Sequence, residues 1–222
     1  MECIFTEAKK QLQPSTAIDM PAGPSEVLVL ADETAIPSFV AADLLAQAEH
    51  GTDSQSILTV TSNKTATKVI EEINRQLTEL PRKDIAAAAI ANSYVVVVDN
   101  LKEGMDFSNF YAPEHLILAT EKYENLIPLI TNAGSVFLGN LTPESAGDYA
   151  SGTNHTLPTS AFAKAYSGVS VDTFVKKITF QHLSAIGLKN IGKTVQVLAE
   201  AEGLQAHKNA VTIRLQGLGV RD

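Results

Sequence analysis

Glutamine, histidine and acidic residues recur in this chain at spacings that can hold a metal ion or move a proton. In Asp43-Leu44-Leu45-Ala46-Gln47-Ala48-Glu49-His50-Gly51, Gln47 and His50 stand three residues apart. The stretch reads as the last two turns of a helix, so both side chains project from one face, and Gly51 supplies a left-handed stop. Two lone-pair side chains at a helix end make half of a metal site; alone, they read as readily as an exposed polar stripe. Ala112-Pro113-Glu114-His115-Leu116 sets a carboxylate beside an imidazole where a loop enters an apolar run. An imidazole titrates near neutral pH and suits proton abstraction, and a carboxylate can orient or activate water. A charged pair in a surface turn fits that motif equally.

Two further groups complete the inventory. The run from Glu144 to His155, ESAGDYASGTNH, combines small turn formers with Asp148, a candidate metal ligand or substrate clamp, and with His155. Near the C-terminus Glu202 precedes His207 by five residues, with Gly203 between them. Summed, Gln47, His50, Asp148 and His207 offer an amide oxygen, two imidazoles and a carboxylate. A mixed N/O set without cysteine suits zinc or a neighbouring divalent ion rather than an iron–sulfur cluster. His182, the remaining uncommitted histidine, flanks Leu183 in an apparent helix and reads as structural.

The elements that must carry these residues follow from hydrophobic patterning. A polar, helix-forming stub over 6–13 is too short to stand alone, and a turn-rich lead-in ends at Pro24-Ser25. Residues 26–30 (EVLVL) form an apolar run of the kind buried on both faces of a sheet. Asp32, Glu33 and Thr34 supply a helix start, Pro37 is tolerated in the first turn, and the helix is expected to run to His50. Strands are expected at 56–61, 94–98, 115–120 and 135–138, with helices at 64–80, around 86–89 and at 123–132. Residues 99–110 and 142–159 read as loops, the latter leaving the carboxyl end of a strand, where α/β sheets place ligands. Alternation of strands and helices predicts an α/β fold: an incomplete Rossmann-like, mostly parallel sheet with helices on both faces. Composition shifts near Asp172, so residues 1–170 are expected to form that domain. Residues 171–222 would form a small helical tail, with helix over 191–202 and from His207 onward.

Composition narrows the function classes. The chain has 222 residues, 45% of them hydrophobic, enough for a substantial core. A net charge of −8, no tryptophan and no basic cluster argue against a nucleic-acid partner. No apolar run approaches the ~20 residues that span a bilayer, and no signal-like apolar segment follows the N-terminus. A single cysteine, Cys3, excludes an internal disulfide and fits a reducing cytoplasm.

Read together, TEAKKQL, IDMPAGPSEVLVLAD, DLLAQAEHG, FYAPEHL, GSVFLG, ESAGDYASGTNHTLPT and AEGLQAHKNAVTIRL resemble the histidinol dehydrogenase family, in the family's order and over nearly the whole chain. The resemblance implies that Gln47, His50, Asp148 and His207 match zinc ligands and that Glu114 and His115 match the catalytic pair. It also implies that Ser25, His155 and Glu202 match substrate-contacting positions. The family oxidises L-histidinol to the aldehyde and then to L-histidine, the last two steps of histidine biosynthesis, consuming two NAD. By this resemblance zinc holds the substrate's imidazole and amino group, His115 takes the hydroxyl proton, and Glu114 activates the water that hydrates the aldehyde. Family members are homodimers whose C-terminal tail reaches into the partner's site, so Glu202 and His207 would serve the other subunit.

Family chains are about twice this length, and the portion before TEAKKQL carries most of the NAD-binding domain. No G-x-G-x-x-G occurs here, and no cofactor-binding residue is assigned. The expectation is therefore a chain with zinc, substrate and catalytic residues, weakly active or inactive alone. A non-catalytic zinc-dependent histidinol-binding module and an inert fragment are the competing readings.

Overall fold

A computed structural model describes residues 2–219. These residues divide into two compact units that part between Val175 and Lys176; composition places the boundary near 170.

The first unit is built on five parallel strands: β1 (Glu26–Ala31), β2 (Gln55–Val60), β3 (Tyr94–Val97), β4 (His115–Ala119) and β5 (Ser135–Leu138), in the order β3-β2-β1-β4-β5. β1 and β4, at the centre, are buried almost end to end, as their unbroken apolar runs require. Side-chain alternation sorts each strand between two cores. Val27, Val29, Leu58 and Ile117 pack with helices α2 (Pro37–Ala48), α3 (Asn63–Leu77) and α4 (Lys83–Ala91). Leu28, Leu30, Leu116 and Leu118 pack on the other face with Met105 of α5 (Leu101–Tyr111). The α/β class with helices on both faces stands. β3, at the edge, leaves Tyr94 and Val97 exposed.

Several local expectations are corrected. Residues 99–110, read as a loop, hold α5, started by Asn100, whose side chain accepts from the Glu103 N–H at 3.0 Å. That Asn-x-x-Glu start was present in the sequence; the polar run LKEGMDFSN masked the face that reaches Met105. α5 ends where Ala112 takes a left-handed conformation (φ 57°) just before Pro113. The second supposed loop, 142–159, contains helix α6 (Glu144–Tyr149). Residues 123–132 form two 3₁₀ turns, Tyr123–Asn125 and Ile127–Leu129, instead of one helix.

α2 begins at Pro37, with Asp32 and Thr34 instead making a turn in which Asp32 Oδ1 accepts from the Thr34 N–H. It stops at Ala48, so His50 lies just beyond the helix. Gly51 is not left-handed; a Cβ there would come within 2.8 Å of Asp53 Oδ1, so glycine serves a crowded turn rather than a helix stop.

Before β1, helix α1 (Glu2–Leu12) carries the N-terminal stub. Lys9 in α1 forms an ion pair with Asp19, 2.8 Å away, which ties the helix to the lead-in before β1.

The second unit is an α-hairpin of α7 (Ala185–Ala201) and α8 (Gln205–Gly217). Ser184 caps α7 by accepting from the Gly187 N–H. Gly192 admits Leu215 to the α7–α8 contact, for a Cβ there would stand 2.7 Å from its Cδ1. His182, expected in a helix, lies in exposed coil ahead of α7. No helix among the described residues is long and apolar enough to cross a membrane.

Candidate metal and active site

The site forms at the amino-terminal ends of β1 and β4, not at the carboxyl ends where the sequence reading placed ligands. Glu26 opens β1, His115 opens β4, and the parallel register sets Val27 beside His115. α2 runs back against the strands, which carries Gln47 and His50 to this same edge. The Ala112 turn delivers Glu114 there, buried, directly ahead of His115.

Glu26 organises the pair through its backbone. Its N–H donates to Glu114 Oε2 at 2.9 Å, and its carbonyl oxygen lies 3.2 Å from His115 Nδ1. A carbonyl can only accept, so the His115 proton resides on Nδ1 and Nε2 presents a lone pair. That Nε2 is buried and finds no hydrogen-bond partner among the described residues. Burial pushes the His115 pKa down to about 4, against the raising effects of the Glu26 carbonyl and Asp148. The ring is therefore a neutral base through the physiological range.

Two carboxyl groups flank the imidazole. Glu114 Oε2 and Glu144 Oε1 each lie 3.7 Å from His115 Nδ1. Glu144 is 2% exposed. Burial first, then the like charges of Asp148, Glu114 and Asp43, push its pKa up to about 9. Asp43, one turn before Gln47, is raised to about 7 by burial.

His50, Glu144 and Asp148 each present a ligand atom, all within 4.8 Å of one another. An imidazole and two carboxylates form a donor set suited to a hard or borderline divalent cation. A cation among them would reverse the crowding of like charge that disfavours ionised Glu144. The residues present thus fit a zinc-type ion, and Gln47, fully buried at the same edge, turns its amide nitrogen to Glu144 and its oxygen to the Glu26 N–H.

Ser25, Glu114 and His155 line a cavity of about 310 Å³ together with Thr6, Lys9 and Thr159. His155 is exposed and Ser25 half-buried. The loop carrying His155 is tied down where Glu26 Oε1 accepts from the Ser160 N–H at 2.9 Å and where Thr159 accepts from the Gly23 N–H. Ser160 and Ala161 are both left-handed, with φ of 54° and 61°, a strain that the surrounding contacts must hold.

Of the residues selected from sequence, the first unit gathers Ser25, Gln47, His50, Glu114, His115, Asp148 and His155 around this edge. Glu202 caps α7 and His207 lies in the first turn of α8; both belong to the second unit and are exposed. Sequence reasoning missed Glu26 and Glu144. Glu144 precedes Asp148 by four residues, a spacing that puts both on one helical face; reading the segment as a loop hid that relation. Glu26 acts mainly through its main chain, which leaves no signature in residue type.

The family model for histidinol dehydrogenase matches residues 3–215. The chain is 59% identical to the histidinol dehydrogenase of Bacteroides thetaiotaomicron over 216 residues, 96% of this chain and 50% of that protein. It is 54% identical to that of Aliivibrio fischeri over 220 residues, 98% of this chain and 50% of the relative. The crystal structure of histidinol dehydrogenase from Elizabethkingia anophelis superposes with a TM-score of 0.93 at 58% identity, covering 97% of this chain and 50% of that one. The chain thus spans about half the length of the curated relatives it matches. With a matching family model over nearly its full length and a shared fold at high identity, the chain belongs to the histidinol dehydrogenase family.

Proposed function

We propose that the chain carries the zinc, substrate and proton-transfer residues of an NAD-dependent histidinol dehydrogenase. One observation carries this reading: the His115 ring, with its Nε2 buried and unpartnered among the described residues, lies 3.7 Å from Glu144, one of a group of metal-ligating side chains, in a fold of this family. Gln47, His50 and Asp148 would hold zinc, with His207 as a further ligand. Zinc, when bound, supplies a positive centre that anchors the imidazole and amino group of L-histidinol and so fixes the alcohol carbon.

The chain's own residues then act on the substrate. Ser25 and His155 would contact it, joined by Glu202 from the second copy of the homodimer. His115 Nε2 accepts the hydroxyl proton of the alcohol; NAD, when bound, would supply the hydride acceptor that this oxidation to the aldehyde requires. Glu114, held by the Glu26 N–H, takes a proton from the water that adds to the aldehyde. His115 would again take a hydroxyl proton from the resulting diol, with a second NAD as the hydride acceptor, on the way to the carboxylate of L-histidine. Burial keeps the His115 ring unprotonated, so that Nε2 is free to accept a proton in both oxidations.

No residue of this chain is assigned to NAD binding, which we place in the half of the relatives that the chain does not match. The acting form is a homodimer in which Glu202 and His207 serve the partner's site. Exposed apolar side chains such as Phe174, Ile178 and Phe180 support such an assembly. The compartment is the cytoplasm, where a chain with one cysteine needs no disulfide.

Metal analysis of the purified chain, with and without His50→Ala, tests the zinc site. Zinc retained equally after that change would sink the ligand assignment. NAD reduction with L-histidinol and zinc is expected to be weak or absent for the chain alone. Full turnover would disprove the external NAD module, and zinc binding without turnover even in a full-length context would leave a binding module.

A further inference from the structure

Glu144 lies at the centre of the cluster yet has no part in the chemistry above. Its nearest partner is the fully buried side chain of Gln47. In the orientation that satisfies both ends of that amide, the nitrogen donates to Glu144 Oε1 at 2.6 Å and to Oε2 at 3.2 Å. The Gln47 oxygen then accepts from the Glu26 N–H at 3.3 Å. Turned the other way, the amide would aim oxygen lone pairs at carboxylate oxygens and its own N–H₂ at a backbone donor. Burial makes that arrangement costly.

The distinction matters because the two ends of an amide differ as ligands. The nitrogen has no lone pair for a cation, whereas the oxygen has two. One lone pair faces the Glu26 N–H, which is shared with Glu114 Oε2, and the bonds of this orientation leave the second without a donor. We propose that Glu144 is a positioning residue that fixes the Gln47 amide so that its oxygen, not its nitrogen, is offered to the divalent cation. This rests on the zinc reading above. Glu144 acts through Gln47, and either protonation state leaves it an oxygen that accepts from the amide nitrogen.

The fold keeps Glu144 in place for this task. It starts α6, which lies close on Phe137 of β5 because residue 147 is glycine; a Cβ there would stand 2.8 Å from the ring. The alternative, direct ligation by Glu144, is open to it by distance, since it is one of the three donors within 4.8 Å. Against that, both of its oxygens are already within reach of one Gln47 nitrogen.

A double-mutant cycle on the 222-residue chain separates the two, with Zn²⁺ affinity measured by chelator competition. Gln47→Ala and Glu144→Ala are each expected to weaken zinc about 10- to 100-fold. The double variant should be no weaker than the weaker single, because the second change removes a group that has lost its object. With Co²⁺ in place of Zn²⁺, the two single variants should share one altered visible spectrum. Glu144→Gln, whose amide oxygen still accepts from Gln47, should keep the parent spectrum.

Losses that multiply in the double variant, or a Glu144→Gln spectrum as changed as that of Glu144→Ala, would overturn the positioning role while leaving the zinc site intact. Zinc affinity unchanged by both Gln47→Ala and His50→Ala would overturn the zinc reading and the positioning role together. Thermal unfolding of the metal-free proteins checks folding. If Glu144→Ala does not fold, Glu144→Asp, with its carboxylate drawn back by one methylene, takes its place in the cycle.

Discussion

The Nδ1 of His115 lies 3.2 Å from the main-chain oxygen of Glu26, and that contact decides which nitrogen of the ring can act as a base. The same Glu26 offers its N–H to Glu114 and its Oε1 to the loop beyond His155. One residue at the start of β1 therefore aligns the proposed base, the proposed water activator and the loop that carries His155. Because β1 and β4 are neighbours in the sheet, the alignment is as rigid as the sheet itself.

The His115 tautomer and its burial predict an unusual titration. In an NMR pH series on the metal-free chain, the His115 ring signal, assigned by its loss in His115→Gln, should stay fixed from pH 8 to 5.5. It should move only towards about 4. A midpoint near 6.5 would show that the ring is solvated and not held as described.

Glu144 predicts a stability profile of the opposite sense to ordinary carboxylates. Its pKa rises from 4.5 unfolded to about 9 folded, so the folded chain keeps a proton that the unfolded chain has released. Stability is then lost as pH rises through that window, by up to about 1.4 kcal/mol per pH unit. His115 works against this only between its folded value of about 4 and 6.5, and Asp43 contributes only up to about 7. Urea unfolding of the metal-free chain between pH 7 and 9 should therefore show a decline that Glu144→Gln flattens. An equal slope in both proteins would refute it.

Gly147→Ala should lever α6 away from Phe137, whose ring centroid lies 5.8 Å from that of His115. We expect a loss of about 1–3 kcal/mol in urea unfolding, together with weaker zinc binding as Glu144 and Asp148 shift. Unchanged values in both measurements would mean that the helix adapts without cost.

Asn100→Ala should remove the cap of α5 and cost about 1 kcal/mol. Because α5 leads through the Ala112 turn into Glu114, amide exchange at residues 112–115 should quicken as well. Loss of stability without faster exchange there would separate the cap from the site.

Much of the sheet was legible in the sequence because parallel strands buried on both faces appear as unbroken apolar runs. The strands expected at 26–30, 56–61 and 115–120 each match β1, β2 and β4 to within a residue at either end. α5 and α6 were not legible, since LKEGMDFSNFY and ESAGDY are rich in polar and turn-forming residues. Their helical form depends on a cap at Asn100 and on a glycine that lets α6 approach Phe137. The αL end of α5 at Ala112 is likewise imposed by packing, for alanine has no intrinsic preference for it.

The amino-acid sequence by itself determined which chemistry the chain can carry: imidazoles, carboxylates and one glutamine amide, in motifs resembling one family. It could not determine where they meet. Residues 26, 47, 114 and 144 are distant in the chain, and only parallel pairing of β1 with β4 and the return of α2 bring them to one edge. The tertiary structure alone decided that the edge is the amino-terminal one and that the His115 proton sits on Nδ1. It also gave Glu144 its place against Gln47. Each of these depends on burial and on backbone groups that every residue possesses, so none is written in residue type.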